Sequence, residues 1–152
     1  MIKEPKIIFS TWKHWDMRDS TITKDPLFPI PQSFDISGIY LWAHFKNKRQ
    51  KENNKKGQLH LNPRVIYIGK SKEITRRLEG NRHERVRSYK RLFRDRSLKY
   101  LYYSICYTNW TTWDFNKKKF SKALNACLLY FERKLIWEFA QTYKTIPRLN
   151  KE

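Results

Sequence analysis

Short apolar and aromatic runs alternate along the chain with long polar stretches. GIYLWAHF over 38–45 and RVIYIG over 64–69 are brief, rich in β-branched and aromatic residues, and bounded by turn-formers, which predicts strands. The polar segment between them carries Asn53, Asn54, Gly57 and Pro63, so the two strands are expected to pair antiparallel around an over-long hairpin loop. A third strand is predicted over 98–108 (LKYLYYSICYT), beside the first two.

Helical spacing marks most of the rest. Gly69 is expected to end the second strand and Ser71 to cap a helix over 71–80, whose apolar face opens at Ile74 and continues at Leu78. Over 81–95, Val86, Tyr89, Leu92 and Phe93 form an apolar stripe. Over 121–143, Leu124, Leu128, Phe131, Leu135 and Phe139 form another, with Ser121 as cap and Pro147 as the stop. Residues 1–36 differ in kind: Ile7, Ile8, Phe9, Trp12 and Trp15 are apolar anchors, while Pro26, Pro29 and Pro31 exclude a helix. They read as an extension packed on one domain of residues 37–152, with Trp12 and Trp15 as packing anchors in preference to base-stacking platforms. The fold class is α+β, a three-stranded, mainly antiparallel sheet flanked by helices.

Charge narrows the class of partner. The chain has 33 Lys and Arg against 14 Asp and Glu, a formal +19, and such a field favours a polyanion, most commonly nucleic acid. Aromatic residues make up 16% of the chain, so this charge sits on a packable framework and not on a disordered tail. The polar face of the 81–95 helix carries Arg82, Arg85, Arg87, Lys90, Arg91 and Arg94, nearly all of one sign, which favours phosphate contact over plain solvation. Trp110 and Trp113 lie in a polar loop, placed either to stack on bases or to plug a sheet edge. Cys106 and Cys127 lack metal-binding spacing and are expected to be reduced and buried. No apolar run reaches the ~18–20 residues that span a bilayer and no signal-peptide core is visible, so no membrane partner and a cytoplasmic location are expected.

Two tripeptides stand out in the predicted hairpin, Gly38-Ile39-Tyr40 and Tyr67-Ile68-Gly69, with Arg77 eight residues beyond Gly69. Glu132 lies in the last helical run and Asn150 in the closing Pro147-Arg148-Leu149-Asn150. In kind, order and spacing these four separated signals resemble the GIY-YIG nuclease family, a likeness that reaches from the first tripeptide to the end of the chain. Gly69-Lys70-Ser71 also looks like the end of a phosphate-binding loop, but Arg64 stands where that motif needs its first glycine.

The resemblance implies metal-dependent hydrolysis of a phosphodiester, with Mg²⁺ or Mn²⁺ as cofactor. It implies Tyr40 as the group that accepts a proton from water, Tyr67 as its hydrogen-bonding partner, and Arg77 as the guanidinium on the scissile phosphate. Glu132 matches the lone metal-binding carboxylate and Asn150 the late asparagine thought to orient the site. A free tyrosine titrates near ~10, so base work at neutral pH needs a cation nearby, and Lys70 matches a lysine that several members carry after the second glycine. One departure lies four residues past Arg77, where the family usually has histidine or tyrosine. Here that position is Asn81, with His83 two residues on, and His83 supplies the imidazole only if Gly80 breaks the helix.

The expected activity is that of a DNA endonuclease, acting on double-stranded DNA and of the restriction or small phage nuclease kind, since no separate DNA-binding domain follows the core. Two rivals remain open from the sequence: a catalytically idle nucleic-acid binder on the same fold, and a nuclease for single-stranded or branched DNA.

Overall fold

The computed structural model describes residues 7–17, 38–53, 61–71, 84–108 and 117–151. Their strands are β1 (Ile7–Phe9), β2 (Lys13–His14), β3 (Gly38–His44), β4 (Val65–Ser71) and β5 (Leu101–Thr108). Their helices are α1 (Lys48–Asn53), α2 (Glu84–Phe93) and α3 (Lys117–Tyr143), with short 3₁₀ turns at Trp15–Met17 and Arg148–Lys151. The class is α+β, and every described strand pairing is antiparallel.

The three strands expected from the sequence pair in the order β5-β3-β4, with β4 at one edge of the sheet. β3 is buried along its whole length, because helices and the N-terminal segment cover both of its faces. That is why its sequence is a continuous apolar run instead of an alternating one. On one face Ile39, Leu41, Ala43, Val65 and Ile68 pack against Phe131, Leu135 and Phe139 of α3. On the other, Tyr40, Trp42 and Ile66 pack against Val86 and Tyr89 of α2 and against Leu149. A register shift between Trp42 and Ala43 lets Ile66 and Tyr67 both join the α2 face, so the face alternation along β4 changes phase there.

The N-terminal segment enlarges the predicted three-stranded sheet. β1 and β2 lie end to end along the outer edge of β5, with the Ser10 hydroxyl accepting a hydrogen bond from the Ile105 N–H at 2.8 Å where the ladder breaks. The chain then drives one tryptophan into each core. Trp12 packs edge-on against Phe45 at 5.3 Å and Trp15 against Trp42 at 5.0 Å, and both are buried, as packing anchors should be.

Several sequence expectations need correcting. β4 does not stop at Gly69 but continues through Ser71, which pairs with Gly38. Ser121 is inside a helix, since α3 starts at Lys117. β5 begins at Leu101 because Leu98 has a φ of 59°, a left-handed backbone that no strand contains. The 46–63 loop opens with helix α1, where Asn47 accepts from the Gln50 N–H and the Gln50 side chain accepts from the Lys46 N–H, both at 2.9 Å. Cys127 is half-buried and not fully buried. The helix expected over 71–80, the prolines at 26, 29 and 31, and Trp110 and Trp113 lie outside the described residues.

Candidate active site

Tyr40 and Gly69 are register partners on β3 and β4, and the Tyr40 ring lies flat across the glycine. A methyl group on Gly69 would meet the Tyr40 ring carbon Cζ at 2.5 Å and its hydroxyl oxygen at 2.6 Å, closer than any side chain tolerates. The glycine of the second tripeptide is thus the floor on which the tyrosine of the first one rests. Tyr67 lies on the same face, its ring 6.0 Å from that of Tyr40 and 5.4 Å from Trp42. Tyr40 is only 1% exposed, whereas Tyr67 is half-buried. The Arg85 guanidinium, from the first turn of α2, sits 5.8 Å from the centre of the Tyr67 ring.

Asn150 reaches the same strand from the end of the chain. Its side-chain oxygen accepts from the Ile68 N–H and its amide donates to the Ile68 carbonyl, both at 2.9 Å. A single side chain so imitates a neighbouring strand on the outer side of β4. Leu149 anchors the turn by burying in the core, and the Asn150 N–H donates to Pro147 O at 2.9 Å. Both polar ends of the Asn150 amide are committed to backbone, so this residue positions β4.

Glu132 interrupts the apolar stripe of α3, one helical turn after buried Leu128 and one before Ile136. Burial raises its carboxyl above the ordinary range, and the Lys70 ammonium, followed by Arg133, holds that rise back. Lys70 is exposed and points to the α3 side, because Gly69 before it faces Tyr40 and strand side chains alternate. The tyrosines therefore lie on one face of the sheet at β4, and Glu132 and Lys70 lie on the other. Among the described residues no group of three or more His, Cys, Asp or Glu side chains gathers, and Glu132 is the carboxylate that the resemblance implies for a metal. A half-buried carboxylate on a rigid helix fits that task, since Mg²⁺ keeps most of its waters. Arg77, Arg82 and His83 lie outside the described residues.

The predicted basic face of α2 divides in two. Arg85 turns to Tyr67, and Arg87 is exposed. Lys90, Arg91 and Arg94 instead line a cleft of about 740 Å³ together with Arg96, Lys99 and Tyr100. Beneath it lies a buried polar chain that the motifs do not reveal: His44 Nδ1 to Tyr89 Oη at 2.9 Å, and Tyr89 Oη donating to Asp95 Oδ2 at 2.6 Å. Since the Tyr89 hydroxyl has one proton and gives it to Asp95, His44 must be the donor in the first bond. Two sequence signals mark this chain, a histidine inside the all-apolar run of β3 and a lone acid between Arg94 and Arg96.

No helix among the described residues is long and apolar enough to cross a membrane. Comparisons with protein-family models, curated proteins and solved structures find no match for this chain.

Proposed function

We propose that this protein is a GIY-YIG-like, metal-dependent DNA endonuclease acting on double-stranded DNA in the cytoplasm. The observation that supports the reading is convergence: Tyr40 on Gly69, Asn150 on Ile68 and Glu132 within the electrostatic reach of Lys70 bring three distant chain segments to one short stretch of β4. Nothing in core packing requires a carboxylate within the apolar stripe of α3, and burying it is costly without a cation.

Phosphodiester hydrolysis needs a group to take a proton from water and positive charge around the phosphoryl oxygens. Exposure transfers the first role, expected of Tyr40, to its neighbour: Tyr67 keeps an open side and Tyr40 is sealed over Gly69. Arg85 and Lys70 contribute positive charge on the two sides of β4, to which Arg77 would add the guanidinium the resemblance implies. Glu132 would hold Mg²⁺ or Mn²⁺, and the bound ion would supply Lewis-acid charge to the phosphoryl oxygens. His83 would supply the imidazole that Asn81 lacks only if Gly80 breaks the helix after Arg77. Asn150 keeps β4 from shifting between the two halves of the site.

Incubating the purified protein with supercoiled plasmid and Mg²⁺ tests the reading. Nicked or linear product supports it, discrete bands marking site specificity and a smear its absence. A protein that binds the plasmid and leaves it intact is the idle binder, and cutting confined to single-stranded or branched substrates moves the substrate class.

A further inference from the structure

The cleft at the C-terminal end of α2 lies away from the tyrosines, and its walls are basic: Lys90, Arg91, Arg94, Arg96 and Lys99, with the half-buried ring of Tyr100 among them. We infer that this cleft is a second, non-catalytic site that grips the phosphates of a nucleic-acid backbone. The inference rests on the nuclease reading only for the identity of the polymer.

The lone carboxylate of the cleft faces away from any ligand. Asp95 is 6% exposed, and its oxygens accept from the Lys99 and Tyr100 N–H groups at 2.9 Å each and from the Tyr89 hydroxyl. Those bonds wrap the turn over 95–100 around the carboxylate and leave the basic side chains of Arg94, Arg96 and Lys99 on the outside, all three exposed. The turn is not a slack loop. Arg94 at φ 52° and Leu98 at φ 59° are both left-handed, a backbone that non-glycine residues hold only when the surroundings enforce it. Buried Leu98 pins one end and the His44–Tyr89–Asp95 chain ties the other to the middle of the sheet. The cations are thus arrayed in advance on a rigid support, and closely spaced guanidinium and ammonium groups around one cleft match phosphate oxygens.

The test measures binding to duplex DNA by fluorescence anisotropy across a salt series without divalent metal, so that no cleavage is needed. The Arg96→Ala/Lys99→Ala double variant should lose affinity and flatten the slope of log affinity against log salt by about 1.8, two contacts at ~0.9 each. Lys122→Ala/Lys144→Ala removes the same charge from exposed positions on and just after α3 and should leave the slope at the wild-type value. Equal losses in the two double variants would reduce the cleft to diffuse electrostatics and overturn the inference. If Arg96→Ala/Lys99→Ala weakens heparin binding as much as DNA binding, the site has no claim to nucleic acid. A protein that binds DNA through the cleft but cuts nothing would sink the nuclease reading and leave the cleft standing.

Discussion

At the scale of single residues, the tightest constraint is the contact between Tyr40 and Gly69. A Cβ at Gly69 would stand 2.5 Å from a ring that is buried and has no room to retreat. Gly69→Ala should therefore lower stability by about 1–3 kcal/mol, the usual range for overpacking a filled core. Urea unfolding measures it, and wild-type stability would mean that the ring swings aside freely. The two tyrosines should separate in the chemistry. Tyr67→Phe is expected to cost about 10² to 10⁴ in single-turnover rate, as loss of a general base does, while Tyr40→Phe keeps its ring contact with Gly69 and most of its rate. The reverse pattern would return the proton-accepting role to Tyr40. The residues that carry these effects were legible as motifs, because tripeptides around glycines are local strings. The reason for the second glycine was not legible, since it depends on the cross-strand register that sets Tyr40 opposite it.

At the scale of elements, α2 and the turn after it show what a sequence stripe can and cannot tell. Val86 and Tyr89 at helical spacing identify the buried side of α2. The opposite side reads as one basic face, yet Arg85 serves the tyrosines while Lys90, Arg91 and Arg94 serve the cleft. Helical rotation already sets Arg85 and Lys90 about 140° apart, on opposite flanks of the buried stripe, but it does not show the cleft, which is completed by the left-handed backbone at Arg94 and the buried Asp95 beyond it. That buried chain gives the fold an acid sensitivity with a definite sign. Burial holds the His44 imidazole below its ordinary 6.5, with Lys46 and Arg64 adding to the effect and Asp95 opposing it. The unfolded chain then takes up the proton first as pH falls, so stability complete above about pH 6.5 declines below it. For Asp95, burial works against the charge, but hydrogen bonds from Tyr89, Tyr100 and Lys99 outweigh it and hold the carboxyl below its ordinary 3.8. Its contribution is present above that value and is lost as pH falls through the still lower value in the fold. Between about pH 7.5 and 5.5, wild type should lose stability while His44→Asn loses less, with thermal unfolding as the readout. Equal pH dependence in the two proteins would contradict a neutral, buried His44.

At the scale of the whole molecule, the two edges of the sheet are treated differently. β1 and β2 cover the outer edge of β5, and Trp12 and Trp15 reach from that edge into both cores. At the other end of the sheet β4 is held by the Asn150 side chain. The antiparallel core was legible in the sequence because its strands are apolar, short and punctuated. The added strands were not, since three and two residues carry too little pattern to be read, and their pairing is fixed by the tryptophans they deliver. The central claim is that the segments gathered on β4 form a site for metal-dependent phosphodiester cleavage, with Glu132 present for the metal and not for the core. Glu132→Gln tests it most directly, assayed by single-turnover plasmid cleavage with Mg²⁺ alongside DNA affinity and thermal unfolding. Cleavage should be lost, affinity should stay near wild type, and the unfolding temperature should be equal or higher, because a carboxylate that burial disfavours has become a neutral amide of the same shape. Cleavage at the wild-type rate, or an unfolding temperature lower by more than about 2–4 °C, roughly 1 kcal/mol for a chain of this size, would contradict it.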